Sequence, residues 1–369
     1  MVYIDNAATS RRKPLSVAMT AAKEILFSAN AGRAGHKAGI KTALKIEKTR
    51  EIIKKTFFDG NVVFTKNCTE ALNLGIVGTK PFGQAITTVY DHNSVLRTLK
   101  KLELEGKVKM KILYPDENGS FENALKQALK TKTSLVVVTG RSNVTGKETD
   151  FSKLAEITKR YSDALFILDA AQTAGHDDYD YKNVDMVASS GHKGLLGPQG
   201  TGFLVLRKTI KLYPLVVGGT GTSSNKLEIP VEIPEGMETG TLNAAGIIAL
   251  GKGTEYAVKH RERINDKIFR LAKRFEEGIK TEKNIETYPC DGGIVLCNVK
   301  GKDSSVFADE LSEKYGICVR GGLHCAPLMH KYLGTEGRGA VRFSFGNNNN
   351  FLDVARAIYA VKKIARGEK

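Results

Sequence analysis

Tryptophan is absent from this 369-residue chain and aromatics make up only 7% of it, yet hydrophobic residues reach 41%, an ordinary share for a globular protein. No apolar run approaches the ~20 residues of a membrane-spanning helix, so no membrane partner is expected. The N-terminus, Met1 to Asn6, lacks the basic and apolar regions of a secretion signal, and a cytoplasmic location is the expectation. The cysteines are few and odd in number (Cys68, Cys290, Cys297, Cys318, Cys325), and none form a Cys-x-x-Cys pair. That argues against a disulfide framework and against a structural metal site, and leaves free thiols. Acidic residues are also short, 40 against 56 basic, for a formal charge of +16. The basic residues are scattered through helical stretches such as Lys41–Lys48 and Arg261–Arg263, with no aromatic-interleaved patch. Solvated helix faces explain them better than a nucleic-acid partner does.

What is present centres on Ser190–Gly202, where Lys193 stands among glycines. Val184–Ala188 before it and Phe203–Leu206 after it read as short strands, and the glycines as a tight turn joining them. A lysine in a glycine turn is ordinarily a solvated surface group. Held in one position by a sheet, it is also an amine available for a Schiff base with a carbonyl cofactor. The rest of the chain decides between these.

Apolar β-branched runs alternate with amphipathic stretches from Val62 to Leu168. Strands are expected at 62–64, 85–89, 109–113, 134–138 and 165–168, and helices at 15–28, 38–56, 94–105, 121–130 and 151–161. This pattern predicts an α/β fold with a mostly parallel sheet covered on both faces. A loop region follows to about Asn243, then a long helix over 244–280. Beyond it come expected strands at 293–296, 317–319 and 341–345, with a helix over 305–315 and a final helix capped by Asn350 and Asp353. The chain thus divides into a large domain, 15–250, and a smaller α+β domain built from 1–14 and 251–369. A glycine-rich linker, Asn30–His36, holds Arg33 and His36 and is placed to approach a ligand.

Ligands of open α/β sheets bind beyond the carboxyl ends of the strands. Cys68 and Thr69 stand there at a helix start, where backbone N–H groups and the Thr69 hydroxyl can cradle a phosphate, or where Thr69 simply caps the helix. His92 follows the next strand, fit either to stack on an aromatic ring or to cap. Asn143 offers an amide. Asp169 and Gln172 follow the fifth strand, and Lys193 the next. Phosphate cradle, imidazole, amide, carboxylate and amine together match the needs of pyridoxal 5'-phosphate. Cys325 lies in Arg320–Ala326, with Arg320 and His324 as positive neighbours that favour a thiolate. The other cysteines read as small buried hydrophobes.

Asp169–His176 followed by Ser190–Lys193 resembles the signature of the class V aminotransferase superfamily. Within it the chain is most similar to the group II (Suf-type) cysteine desulfurases and their selenocysteine lyase relatives. The likeness runs from Tyr3–Ala8 through Gly240–Asn243 to Arg342 and is sharpest around Lys193 and Arg320–Ala326. The resemblance implies a pyridoxal-phosphate fold type I with a seven-stranded central sheet. It implies that Lys193 holds the cofactor and moves the α-proton, that His92 stacks on the ring and that Asp169 pairs with its nitrogen. Gln172 and Asn143 would flank the phenolic oxygen, and Cys68, Thr69, Ser190 and His192 would line the cofactor's phosphate side. Thr241 would reach the phosphate of a second subunit, hence a homodimer with shared sites. Asn143, Arg342, Arg320 and His36 would bind L-cysteine or selenocysteine. Cys325 would take the sulfur as a persulfide for an acceptor protein, as in iron–sulfur cluster assembly. Other class V chemistry, an aminotransferase or epimerase, is the alternative.

Overall fold

The computed structural model describes residues 1–32, 35–222 and 225–368. In chain order the elements are β1 (Val2–Tyr3), α1 (Leu15–Phe27), α2 (Lys37–Thr56), β2 (Asn61–Thr65), α3 (Cys68–Gly78), β3 (Gly83–Thr88), α4 (Asn93–Leu104), β4 (Val108–Leu113), α5 (Glu122–Ala128), β5 (Thr133–Thr139), α6 (Phe151–Tyr161) and β6 (Leu165–Asp169). They continue with β7 (Met186–Ser190), β8 (Gly202–Leu206), α7 (Ala244–Lys280), β9 (Ile285–Thr287), β10 (Ile294–Val299), α8 (Ser304–Tyr315), β11 (Ile317–Cys318), α9 (Pro327–Tyr332), β12 (Val341–Ser344) and α10 (Phe351–Ala365). No helix among the described residues is long and apolar enough to cross a membrane.

Seven strands form the central sheet in the order β2-β8-β7-β6-β5-β3-β4. Only β8 runs against its neighbours; the other pairings are parallel. The strands are apolar on both faces, and the period of two divides each between two cores. Val136 and Val138 face one core with Phe166, Leu168 and Phe203. Leu135 and Val137 face the other with Ile167, Met186 and Leu204. This is the α/β sheet expected from the sequence.

The C-terminal part is smaller. β10 pairs antiparallel with β9 and β12, and β1 pairs parallel with β11. α7 takes part in two cores: Ile247, Ile248 and Leu250 pack under the large sheet, and residues from Ala257 to Ile279 pack with β10, β12 and α10. Asn350 and Asp353 form the expected capping box at the start of α10. The preceding Asn349 bonds Tyr3 O and Asn6 Nδ2, fastening the N-terminal strand.

Three elements were not expected from the sequence: β9, α9, and the pairing of β11 with the N-terminus. Each is short and made by distant partners, so local pattern carries little trace of it. The segment between β7 and β8 is not the tight turn the glycines suggested. It is a longer loop over residues 191–201, with Leu196 in the left-handed region.

Candidate active site

The loop carrying Lys193 is held from behind by the N-terminal segment. The His192 carbonyl accepts from Ser10 N at 3.1 Å, Ser10 Oγ at 3.0 Å, Thr9 Oγ1 at 3.3 Å and Lys13 Nζ at 2.7 Å. Ser10 Oγ also reaches Lys193 O at 3.0 Å. A backbone crowded by this many donors fixes where the neighbouring Lys193 side chain starts. Burial pushes Lys13 down to about 8. Sequence reading missed these residues, because they lie some 180 positions from the loop they hold.

Lys193 projects into a cavity of about 500 Å³. Its walls carry Cys68, Thr69, His92, Asn143, Asp169, Gln172, Ser190 and His192, all expected from the sequence to meet there. Asn67 caps α3 by accepting from Glu70 N at 2.9 Å, and Glu70 Oε2 returns to Lys66 N at 2.6 Å. Thr69 is therefore not the cap, and its hydroxyl makes no hydrogen bond among the described residues. Gly202 backs this helix start so closely that a Cβ there would meet the Asn67 backbone at 2.5 Å.

His92 both caps and lines the cavity. Its Nδ1 accepts from Ser94 N at 3.1 Å, which leaves the proton on Nε2. Burial drives its pKa down to about 4 against the opposing pull of Asp169, so the ring is neutral at physiological pH. Asp169 Oδ1 accepts from Ala171 N at 2.9 Å and faces Cys68 Sγ at 3.5 Å. Burial, reinforced by Asp169, raises Cys68 far above the range of a reactive thiol. Cys68 is a cavity-floor residue, not a nucleophile. Burial also lowers Lys193, with Arg342 and Arg320 adding to the effect and Asp169 and Cys68 opposing it.

Ser190 Oγ, His192 Nδ1 and Asn143 Oδ1 line this cavity and, although buried, have no partner among the described residues. Buried polar atoms are rarely left so. Their grouping around an amine and a carboxylate fits a polar, phosphate-bearing heterocycle better than an empty core.

Cys325 does not line the Lys193 cavity. It lies in an adjoining groove with Asn93, Arg97, Arg320, Leu323 and Pro327. The two are joined through backbone: Asn143 Nδ2 donates to His324 O at 2.7 Å, and Asn93 N to Cys325 O at 2.8 Å. Arg320 donates to Cys325 Sγ at 3.4 Å. The expectation that His324 is a second positive neighbour is corrected. Its ring points inward, 2% exposed, and burial followed by Arg342 holds its pKa well below the usual range. His324 is neutral, so Arg320 supplies the charge. Cys290 and Cys318 are half-buried, not fully buried as expected, whereas Cys297 is buried.

Arg342 is 1% exposed and already occupied: it donates to Asn143 O and to Asp5 Oδ1, each at 2.7 Å. Its Nε has no partner among the described residues. An incoming carboxylate must therefore share this guanidinium with Asp5, a residue that sequence reading did not single out. The structure does not bring His36 or Thr241 to the Lys193 cavity. His36 is exposed and caps α2, accepting from Gly39 N at 3.2 Å. Thr241 lines separate cavities, one of them beside Thr65, Lys66 and Glu70. Arg33 lies outside the described residues. Among the described residues no cluster of His, Cys, Asp and Glu could hold a metal.

The histidines give a pH prediction. His92, His176, His192 and His330 are all pushed by burial to about 4, and burial holds His324 well below the usual range. In the unfolded chain each protonates near ~6.5. Between these values the unfolded state binds more protons, so stability present above pH ~6.5 is lost as the pH falls toward 4. The thermal midpoint is expected to drop by roughly 5 °C or more from pH 7.5 to pH 5. A midpoint that is flat or rises on acidification contradicts the neutral buried state of these rings.

A family model described as Aminotransferase class-V matches residues 2–356. A probable cysteine desulfurase of Methanothermobacter thermautotrophicus is 33% identical, covering 99% of this chain and 94% of that protein. A probable cysteine desulfurase of Pyrococcus abyssi is 31% identical with the same coverage. The solved apo structure of a cysteine desulfurase from Thermococcus onnurineus matches with a TM-score of 0.90 at 31% identity, over 99% of this chain and 95% of that one.

Proposed function

We propose, from the premise that the chain belongs to the aminotransferase class V family, that it is a pyridoxal-phosphate-dependent cysteine desulfurase. The reaction converts L-cysteine to L-alanine and leaves the sulfur as a persulfide on Cys325. The observation that carries this reading is the pairing of two neighbouring sites. One is an amine cavity lined by unpartnered Ser190, His192 and Asn143 atoms; the other is a groove holding a cysteine under a guanidinium.

Lys193, Asp169, His92, Gln172, Asn143, Thr69, Ser190 and His192 would hold the cofactor. When bound, pyridoxal phosphate supplies an electron sink that weakens bonds at the substrate's α-carbon. The protein's own groups do the rest. The N–H groups at the start of α3, with Thr69 and Ser190, hold an anion. Asp169 Oδ2, free of the two partners that crowd Oδ1, is left for a ring N–H. Lys193 Nζ, its basicity lowered by burial, takes and returns the α-proton. Arg342 and Asn143 orient the substrate carboxylate. Cys325 Sγ attacks the substrate sulfur as the C–S bond breaks. The acceptor carbon gains a proton to become the alanine methyl, and the enzyme thiol becomes a persulfide, so sulfur and protons balance.

The protein is also proposed to be a cytoplasmic homodimer in which Thr241 serves the second subunit's phosphate site. In support, Thr241 lines cavities other than its own chain's Lys193 cavity, and α1 exposes Leu15, Met19, Ile25, Leu26 and Phe27. The test is to incubate purified protein with pyridoxal phosphate, L-cysteine and a thiol reductant. Alanine and sulfide are expected in equal amounts. No alanine from L-cysteine overturns the reading, and turnover of L-selenocysteine alone reassigns the substrate.

A further inference from the structure

Behind the Cys325 loop lies a buried chain of side chains that the mechanism above does not use. His324 Nε2 lies 3.0 Å from Arg320 O, His324 Nδ1 lies 3.0 Å from His330 Nε2, and His330 Nδ1 lies 2.8 Å from Thr335 Oγ1. The two rings stack at 5.2 Å, and His330 and Thr335 are 0% and 1% exposed. A carbonyl only accepts, so His324 Nε2 carries a proton and its Nδ1 must accept. His330 Nε2 must then donate, and His330 Nδ1 takes the Thr335 hydroxyl proton. Every ring nitrogen is satisfied, and in one direction only.

This chain ends on the part of the loop that is least favourable to form. His324 and Cys325 sit consecutively in the left-handed region, at φ 51° and 58°, a conformation that non-glycine residues hold only when their surroundings over-determine it. The carbonyls of His324 and Cys325 are tied to Asn143 and Asn93 on the large-sheet side. On the inner side the His324 ring is the anchor. It also bonds the carbonyl of Arg320, whose guanidinium meets Cys325 Sγ.

We infer that His330 is a positioning residue: by donating to His324 it locks the Cys325 loop in the turn that sets Sγ under Arg320. This rests on the desulfurase reading for its turnover readout, though not for its chemical one. His330→Leu removes the donor at similar volume, whereas His330→Gln keeps an N–H near the Nε2 position. Thr335→Val cuts only the outermost link and serves if His330→Leu does not fold.

The experiment measures three quantities on the holoenzyme variants. In His330→Leu, kcat for L-cysteine desulfuration is expected to fall about tenfold with a smaller change in KM, because the loop meets the Lys193 cavity through Asn143 Nδ2 on His324 O and not through Lys193 itself. Iodoacetamide alkylation of Cys325, followed peptide by peptide, is expected to slow several-fold as Arg320 leaves the sulfur. His330→Gln should recover most of both, and Thr335→Val should shift both in the same direction by less. Exchange of the α-hydrogen of L-alanine with solvent should proceed at the wild-type rate, since it needs Lys193 and not Cys325. Wild-type kcat or wild-type alkylation in His330→Leu, or an equal loss in His330→Gln, overturns the inference. If wild-type protein neither exchanges alanine nor desulfurates cysteine, the desulfurase reading fails, and the alkylation series still decides the role of His330.

Discussion

Lys193→Ala is expected to abolish turnover of L-cysteine, with a loss of roughly four orders of magnitude or more. The amine is asked to do two things, to anchor the cofactor covalently and to move the α-proton, and general acid–base transfer alone is commonly worth about 10²–10⁴. The variant should fold, because Lys193 Nζ makes no hydrogen bond among the described residues that supports the loop. The loop is held instead through the His192 carbonyl by Ser10 and Lys13. Purified with pyridoxal phosphate, the wild type should be yellow and the variant should lose that covalently held chromophore after dialysis. A variant that keeps the colour and the α-hydrogen exchange of alanine would leave Lys193 as no more than a turn residue. Ser190→Ala and His192→Ala should instead weaken cofactor retention, since their atoms line the Lys193 cavity without a partner among the described residues.

Cys325→Ser is expected to cut sulfur release by about a hundredfold or more while leaving alanine α-exchange intact. The oxygen nucleophile cannot accept sulfur as a persulfide, and the cysteine that lines the Lys193 cavity does not replace it. Cys68 is nearer the cavity floor, but burial and Asp169 hold its thiol protonated. Burial likewise raises Cys290 to about 12 and Cys297 further. Mass spectrometry after a single pulse of L-cysteine should find the extra sulfur on the Cys325 peptide of the wild type and on no peptide of the variant. Full-rate desulfuration by Cys325→Ser would remove the persulfide role from the site.

These two residues were legible in the chain for different reasons. Lys193 was found because four other chemical groups, a phosphate cradle, an imidazole, an amide and a carboxylate, each follow a strand, and strand ends of an α/β sheet converge at one edge. Topology that regular can be read from alternation alone, and the cavity gathered Thr69, His92, Asn143, Asp169 and Gln172 as expected. Cys325 was found by local composition, and there the reading was half right. Arg320 does touch its sulfur, but His324 turns inward to His330. Whether a side chain faces a groove or a core depends on the φ of two residues, which neighbouring sequence does not report.

The residues the sequence did not reveal share one property. Asp5 meets Arg342 across 337 positions, and Ser10 and Lys13 meet His192 across 182 and 179. His36, by contrast, was promoted by its glycine-rich setting and proved to be a helix cap in the described chain.

By itself, then, the sequence determined the α/β sheet and the order of chemical groups along its edge, and it singled out the amine and the thiol proposed to act there. Short-range periodicity and strand-end convergence suffice for those. Only the tertiary structure decided that Cys325 lies in its own groove beside the Lys193 cavity and that Arg342 is shared with Asp5. It also decided that a neutral His324–His330–Thr335 chain stands behind the loop. Those outcomes depend on contacts between segments far apart in sequence, where the packing of one part sets the backbone and the protonation of another.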